Sequence, residues 1–160
     1  MECVYIGLGA NLGDRAATLD VAIERLDELS GTRVQRRSDL YESAAVGFTE
    51  QPDFLNCVAE LTSELEPRPL LAELQAIEGL LGRVRSFRNA PRTCDLDLLL
   101  YGDRVIDEAG LQVPHPRLGE RRFVLEPLAE LAPGLRLPDG RVVSDLLAAA
   151  RGQKVVRYVA

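Results

Sequence analysis

Hydrophobic and polar positions along this chain follow two periods, and the switches between them mark its elements. Residues 4–8 read as a short buried strand opening into a turn, Gly7-Leu8-Gly9-Ala10-Asn11-Leu12-Gly13. Asp14 is a good N-cap, and Leu19, Ala22, Ile23 and Leu26 share one face of a helix reaching Leu29, which Ser30-Gly31 ends. Residues 34–41 read as a second strand and residues 43–53 as a long, polar, turn-rich loop. Leu55, Cys57, Ala59 and Leu61 then alternate with Asn56, Val58, Glu60 and Thr62, the period-2 signature of a strand with one face on a core. After Glu66-Pro67-Arg68-Pro69, helical spacing returns in Leu70, Leu74, Ile77 and Leu81, and Gly82 closes that helix.

An arginine-rich loop leads into a strong strand at residues 94–101, with Gly102-Asp103 as a turn and residues 104–107 as the expected hairpin partner. Two strand-like runs flank Pro138-Asp139-Gly140, Ser144 caps a short helix, and residues 155–159 read as a last strand. The order β-α-β-β-α-β over roughly the first hundred residues predicts an α+β fold. It is the ferredoxin-like split βαβ arrangement, an antiparallel sheet with helices packed on it and additions at the C-terminal end. With no linker, repeat or low-complexity tract, residues 1–160 read as one domain.

Composition narrows the function. Charged residues make up 28% and hydrophobic ones 46% of the 160 residues, which suits a folded soluble protein and not a disordered one. No apolar run approaches the ~20 residues of a membrane-spanning helix, and the start MECVYIGLG has no basic region typical of a signal peptide. Cys3, Cys57 and Cys94 are scattered and odd in number, so they read as reduced, buried thiols of a cytoplasmic protein. A net charge of −6 argues against nucleic-acid binding. Nothing predicts self-association, and a monomer is expected.

One region departs from that acidic average. No acidic residue lies between Gly79 and Cys94, yet Arg83, Arg85, Arg88 and Arg92 all do. Guanidinium forks suit bidentate contact with phosphate. The loop runs directly into Asp95 and Asp97, which on a strand point to the same face, about 6.5 to 7 Å apart along the chain. Two neighbouring carboxylates repel unless a partner stands between them, and magnesium is the natural one, its remaining positions taken by water and phosphate oxygens. An acidic pair alone also fits a solvated edge strand. Arginines and carboxylates in one neighbourhood favour phosphate chemistry. His115, held between Pro114 and Pro116, could donate to a phosphate or ribose oxygen, though a lone histidine is more often simply packed. Gly7, Gly9 and Gly13 do not fit GxGxxG and no GxxxxGK[ST] loop is present, so the glycine segment reads as a structural turn.

Taken together, these segments resemble the hydroxymethyl-dihydropterin pyrophosphokinases of the folate pathway. The resemblance is carried by Tyr5-Ile6-Gly7-Leu8-Gly9-Ala10-Asn11-Leu12-Gly13, Gln51-Pro52-Asp53-Phe54-Leu55-Asn56, Glu78 with Gly82-Arg83-Val84-Arg85, Pro91-Arg92-Thr93-Cys94-Asp95-Leu96-Asp97, Val113-Pro114-His115-Pro116 and Arg121-Arg122-Phe123. It implies transfer of diphosphate from ATP to the hydroxymethyl group of 6-hydroxymethyl-7,8-dihydropterin, leaving AMP. Asp95 and Asp97 are then the ligands of two Mg2+ ions and, with Arg83 and Arg92, the catalytic set. Gln75, Glu78, Arg83, Arg85, Arg88, Arg92, His115 and Arg121 would face ATP. Ser43, Val46, Phe54, Asn56 and Phe123 would face the pterin, the two aromatics stacking on the ring and the amide reading its edge.

Asn89-Ala90, Ser43-Ala44-Ala45 and Cys94 depart from the family's usual residues, the last as an oxidation liability beside the metal site. The segments at residues 47–53 and 83–92 would serve as lids. Two other classes fit the residues by themselves: a nucleotidyltransferase, whose product keeps AMP, and a ferredoxin-like binding module that consumes no ATP.

Overall fold

The short buried strand expected at residues 4–8 extends to β1 (Glu2–Ala10), the strand from which the sheet is built. The computed structural model describes residues 1–44, 53–82, 94–150 and 153–159. After β1 come α1 (Arg15–Asp27), β2 (Thr32–Arg37), β3 (Tyr41–Ser43), β4 (Phe54–Ser63), α2 (Pro67–Leu80) and β5 (Asp95–Tyr101). A small hairpin of β6 (Ile106–Glu108) and β7 (Leu111–Val113), helices α3 (Arg122–Leu131) and α4 (Val143–Ala149), and β8 (Val155–Arg157) complete the chain. The main sheet is antiparallel in the order β5-β1-β4-β3-β8, with β2 also paired to β4. This is the predicted ferredoxin-like arrangement.

Local chemistry explains the element ends. Asp14 caps α1, its Oδ1 accepting from the Ala17 amide at 3.1 Å. Pro67 sits in the first turn of α2, where its missing N–H costs nothing, so that helix starts earlier than the residue after Pro69. Gly7 and Gly9, read from the sequence as a turn, are strand residues, and it is Gly13, with φ of 64°, that turns the chain. The single strand expected at residues 34–41 is two strands. The break falls at Ser38, whose Oγ accepts from the Val58 amide at 3.0 Å, so that β2 and β3 lie end to end along β4.

Two cores sandwich the sheet. Leu19, Ala22 and Leu26 of α1 and Leu70, Leu74 and Ile77 of α2 pack on Val4, Ile6 and Leu8 and on Leu55, Cys57, Ala59 and Leu61. On the opposite face Tyr5, Val58, Leu99 and Leu100 meet Val124, Leu125 and Leu128 of α3 and Val143 of α4. β4 is therefore buried on both faces over much of its length, where one core face was expected. The alternation of β5 also breaks. Ile6 pairs with Leu98 but Tyr5 pairs with Leu100, and this bulge turns Leu100 to the second core while Leu96 and Leu98 face the first. The hairpin partner expected at residues 104–107 pairs instead with β7, around Gly110 at φ 75°. About Pro138-Asp139-Gly140 there is one isolated bridge, Arg136 to Val142, in place of two strands.

Candidate active site

Several of the predicted residues lie on the second face of the sheet, outside the apolar cluster under α3 and α4. Along β1 that face carries Tyr5, Gly7 and Gly9, because Val4, Ile6, Leu8 and Ala10 face the first core. Asp97 stands opposite Gly7 and Asp95 opposite Gly9, both carboxylates half-buried. On the other side of β1, Asn56 is the partner of Gly9, and Tyr41 and Ser43 of β3 pair with Asn56 and Phe54. Ser43, Phe54, Asn56, Gly9 and the two aspartates thus line one trough across four strands. Its floor has no side chains at Gly7 and Gly9.

Each wall is held by specific bonds. The Asn56 side-chain amide is buried, and Nδ2 donates to Ser43 Oγ at 2.8 Å and to the Tyr41 carbonyl at 3.3 Å. That fixes the amide's orientation and lays Oδ1 against Gly9, where an added Cβ would be 3.3 Å from it. Arg121, immediately before α3, reaches Asp97 with Nη1 at 3.8 Å from Oδ2, and its Cζ lies 5.5 Å from the Phe123 ring centroid. The start of α3 therefore delivers a cation to the aspartates and an aromatic beside it.

His115 is anchored by its amide, which donates to the Leu99 carbonyl at 3.0 Å. Burial, then the Arg121 and Arg117 charges, pushes its pKa down to about 4, with Asp95 opposing. The neutral ring accepts at Nδ1 from the Arg117 amide at 3.2 Å, which leaves the proton on Nε2. A cleft of about 630 Å³ connects Asp97 and His115 with Leu96, Leu98 and the β6–β7 hairpin. It is open enough for a nucleotide-sized ligand.

Glu78 is buried on α2, where Oε2 accepts from the Leu96 amide at 2.7 Å. It anchors the outward peptide group of the edge strand β5 midway between Asp95 and Asp97. Gln75, on the same helix, is exposed. Val46, Arg83, Arg85, Arg88 and Arg92 lie outside the described residues, as do most of the two lid segments. Cys3 is exposed, contrary to expectation, with Sγ 3.7 Å from Glu60 Oε1. Cys94 is fully buried, and burial with the Asp95 and Glu78 carboxylates pushes its thiol up to about 12. The expected oxidation liability is thereby corrected: it is a protonated, enclosed thiol.

The donor set fits magnesium. Two carboxylates share one face at strand spacing, with hard oxygen ligands and the open trough beside them, as an ion that keeps several water or phosphate oxygens requires. Among the described residues no group of three or more His, Cys, Asp or Glu could hold a metal. Among the described residues no helix is long and apolar enough to cross a membrane.

The geometry agrees with what similar proteins are. A family model described as 7,8-dihydro-6-hydroxymethylpterin-pyrophosphokinase (HPPK) matches residues 5–133. The chain is 47% identical over 157 residues to the 2-amino-4-hydroxy-6-hydroxymethyldihydropteridine pyrophosphokinase of Pseudomonas aeruginosa, covering 98% of this chain and 97% of that one. It is 40% identical over 157 residues to the Haemophilus influenzae protein of the same name, with 98% of each chain covered. In three dimensions it resembles an HPPK-DHPS crystallised with substrates, with a TM-score of 0.73 at 11% identity over 92% of this chain. It spans 43% of that longer chain, and the likeness there is one of fold. By family match and near full-length identity, this chain belongs to the 7,8-dihydro-6-hydroxymethylpterin-pyrophosphokinase family.

Proposed function

We propose that the chain transfers the terminal diphosphate of ATP to the hydroxymethyl group of 6-hydroxymethyl-7,8-dihydropterin and releases AMP, as a step of folate biosynthesis. The observation that carries this reading is the trough itself: a carboxylate pair at one end, an oriented amide and Phe54 at the other, and glycines between. A flat polar heterocycle fits over such a floor with one edge toward Asn56 and its hydroxymethyl group directed at the aspartates.

Asp95 and Asp97 would hold two magnesium ions, which would neutralise the triphosphate and polarise the phosphorus that is attacked. Everything else follows from side chains of this chain. Phe54 and Phe123 stack on the two faces of the pterin, and Asn56 Oδ1 accepts from an N–H of its edge. Ser43 holds the Asn56 amide so that this acceptor is oriented before the ligand arrives. His115, neutral with its proton on Nε2, donates to a phosphate oxygen without adding charge. Arg121 offsets the negative charge at Asp97 and turns toward phosphate when the triphosphate is present. Arg83, Arg85, Arg88 and Arg92, with Gln75 and Glu78, supply the nucleotide side. Pterin hydroxymethyl oxygen attacks the β-phosphorus in line, and the α,β-bridging oxygen departs with AMP. The protein acts as a monomer in the cytoplasm, and its buried free thiols at Cys57 and Cys94 support that compartment.

The test is product analysis after incubation with magnesium, ATP and the hydroxymethyl-dihydropterin. AMP that forms only with pterin present, with diphosphate on the pterin, is the expected result. Pyrophosphate release with an adenylylated product would replace this reading with nucleotidyl transfer, and undiminished ATP would replace it with ligand binding alone.

A further inference from the structure

Arg15 is the first residue of α1, directly after the capping Asp14, at the helix end where the dipole disfavours a cation. Its partners lie off the helix. Nη1 donates to Glu42 Oε2 at 2.7 Å and to the Asp53 carbonyl at 2.9 Å. The guanidinium carbon lies 5.6 Å from the centroid of the Tyr158 ring. With 21% of its side chain exposed against 30% for Glu42, the pair is partly shielded from water.

The positions of these partners matter. Glu42 immediately precedes Ser43, Asp53 immediately precedes Phe54, and Ser43 and Phe54 are facing residues of the β3–β4 ladder. β3 is three residues long and pairs with β4 on one side and with β8 on the other. Tyr158 follows β8, which pairs with β3, and its amide donates to the Leu40 carbonyl at 2.8 Å. One side chain therefore ties the start of α1, the end of β3, the start of β4 and the C-terminal segment together.

We propose that Arg15 is a positioning residue for the pterin end of the trough: it fixes Ser43 relative to Phe54, and through Ser43 the aim of Asn56. The proposal rests on the reading that Ser43, Phe54 and Asn56 face the pterin. Arg15 touches neither substrate.

The experiment compares the parent with Arg15→Leu, Arg15→Lys and Tyr158→Leu. Arg15→Leu raises the pterin KM about fivefold, with kcat and the ATP KM within about twofold. Arg15→Lys, which keeps a charged donor, recovers part of the loss, and Tyr158→Leu gives a smaller shift in the same direction. An unchanged pterin KM, or equal rises in both KM values, overturns the proposal. Hydrogen exchange in the ligand-free protein provides the readout independent of turnover. The Ser43 and Phe54 amides exchange about fivefold faster in Arg15→Leu if the clamp exists, and equal rates overturn it. Faster exchange in a protein whose parent never consumes pterin leaves the clamp standing and overturns the functional reading instead.

Discussion

Gly9 is the most informative position to perturb, because its missing side chain is what makes room for a ligand. In Gly9→Ala the new Cβ stands 3.3 Å from Asn56 Oδ1, 3.5 Å from Phe54 Cδ1 and 3.8 Å from the Leu55 carbonyl. Gly9 is a strand residue with ordinary extended backbone, so alanine fits its conformation and removes unfolded-state freedom, a gain of about 0.5–1 kcal/mol. Against this, Oδ1 must yield by a few tenths of an ångström while its amide stays bonded to Ser43 and Tyr41. Straining one such neutral bond costs about 1 kcal/mol. The two effects offset, and the melting temperature is expected to move by no more than about 4 °C.

Ligand binding has no such compensation. The methyl group occupies the floor beside Asn56, and crowding of this kind costs about 1–3 kcal/mol, so pterin affinity falls by roughly 5- to 150-fold. Gly7→Ala is the control: the three nearest atoms to its Cβ all belong to the Leu99 side chain, at 3.4–3.5 Å, a flexible apolar group able to shift. It leaves pterin affinity within about threefold. Calorimetric titration of pterin into protein saturated with magnesium and a non-hydrolysable ATP analogue measures both variants, with thermal denaturation alongside. Parental affinity in Gly9→Ala, or a larger loss in Gly7→Ala, would show that the ring does not lie over Gly9.

Three further perturbations address the other walls. Asp97→Asn keeps the shape of the side chain but removes its charge, and turnover falls by at least about 100-fold; activity within tenfold of the parent would refute the metal role. His115 is the only histidine, so an imidazole NMR titration of magnesium-free protein reads it directly, and the expected value is about 4, against 6.5 for an ordinary histidine. The unfolded chain takes up this proton first, so the stability His115 contributes is complete above pH 6.5 and declines as pH falls toward 4; a titration near 6.5 would contradict its packing. Glu78→Leu leaves the buried Leu96 amide without the carboxylate it now donates to, at a cost of about 1–3 kcal/mol, and denaturant unfolding shows whether Glu78→Gln, which keeps an acceptor, recovers most of it.

How far the sequence could be read depended on whether a pattern is local. The periods of α1, α2 and β4 are carried within single segments, and all three elements stand close to where their spacing puts them. Helix α3 was hidden by Pro127 inside its ten residues, which removes a backbone donor and reads as a breaker, although Val124, Leu125 and Leu128 are spaced as a helical stripe. The bulge in β5 falls in the run Leu98-Leu99-Leu100, where every residue is apolar and alternation carries no information. That Asp95 and Asp97 share one face was readable from strand geometry alone, whereas the expectation that Asn56 and Phe54 join them came from the resemblance. Glu78 had a visible sign of its structural duty: it follows Ile77 and is four residues beyond Leu74, a carboxylate on the apolar stripe of α2.

The floor at Gly7 and Gly9 was misread as a turn for a reason that also explains the site's location. On its second face β1 presents Cys3, Tyr5, Gly7 and Gly9 in succession. Where the side chain is large, at Tyr5, the C-terminal additions close over it with α3 and α4, burying Val58, Leu99 and Leu100 as well. At Gly7 the Leu99 side chain still fills the space, 3.4 Å from where a Cβ would stand, and at Gly9 the apolar cluster gives way to Asn56 and Phe54, with Arg121 and Phe123 at the start of α3. The same segment that completes the second core therefore also edges the trough. A chain ending after β5 would expose that apolar patch and lose Arg121, Phe123 and His115 together. Stability and chemistry depend on one stretch of sequence here, and the boundary between them falls at Gly9, a residue of β1 that has no side chain.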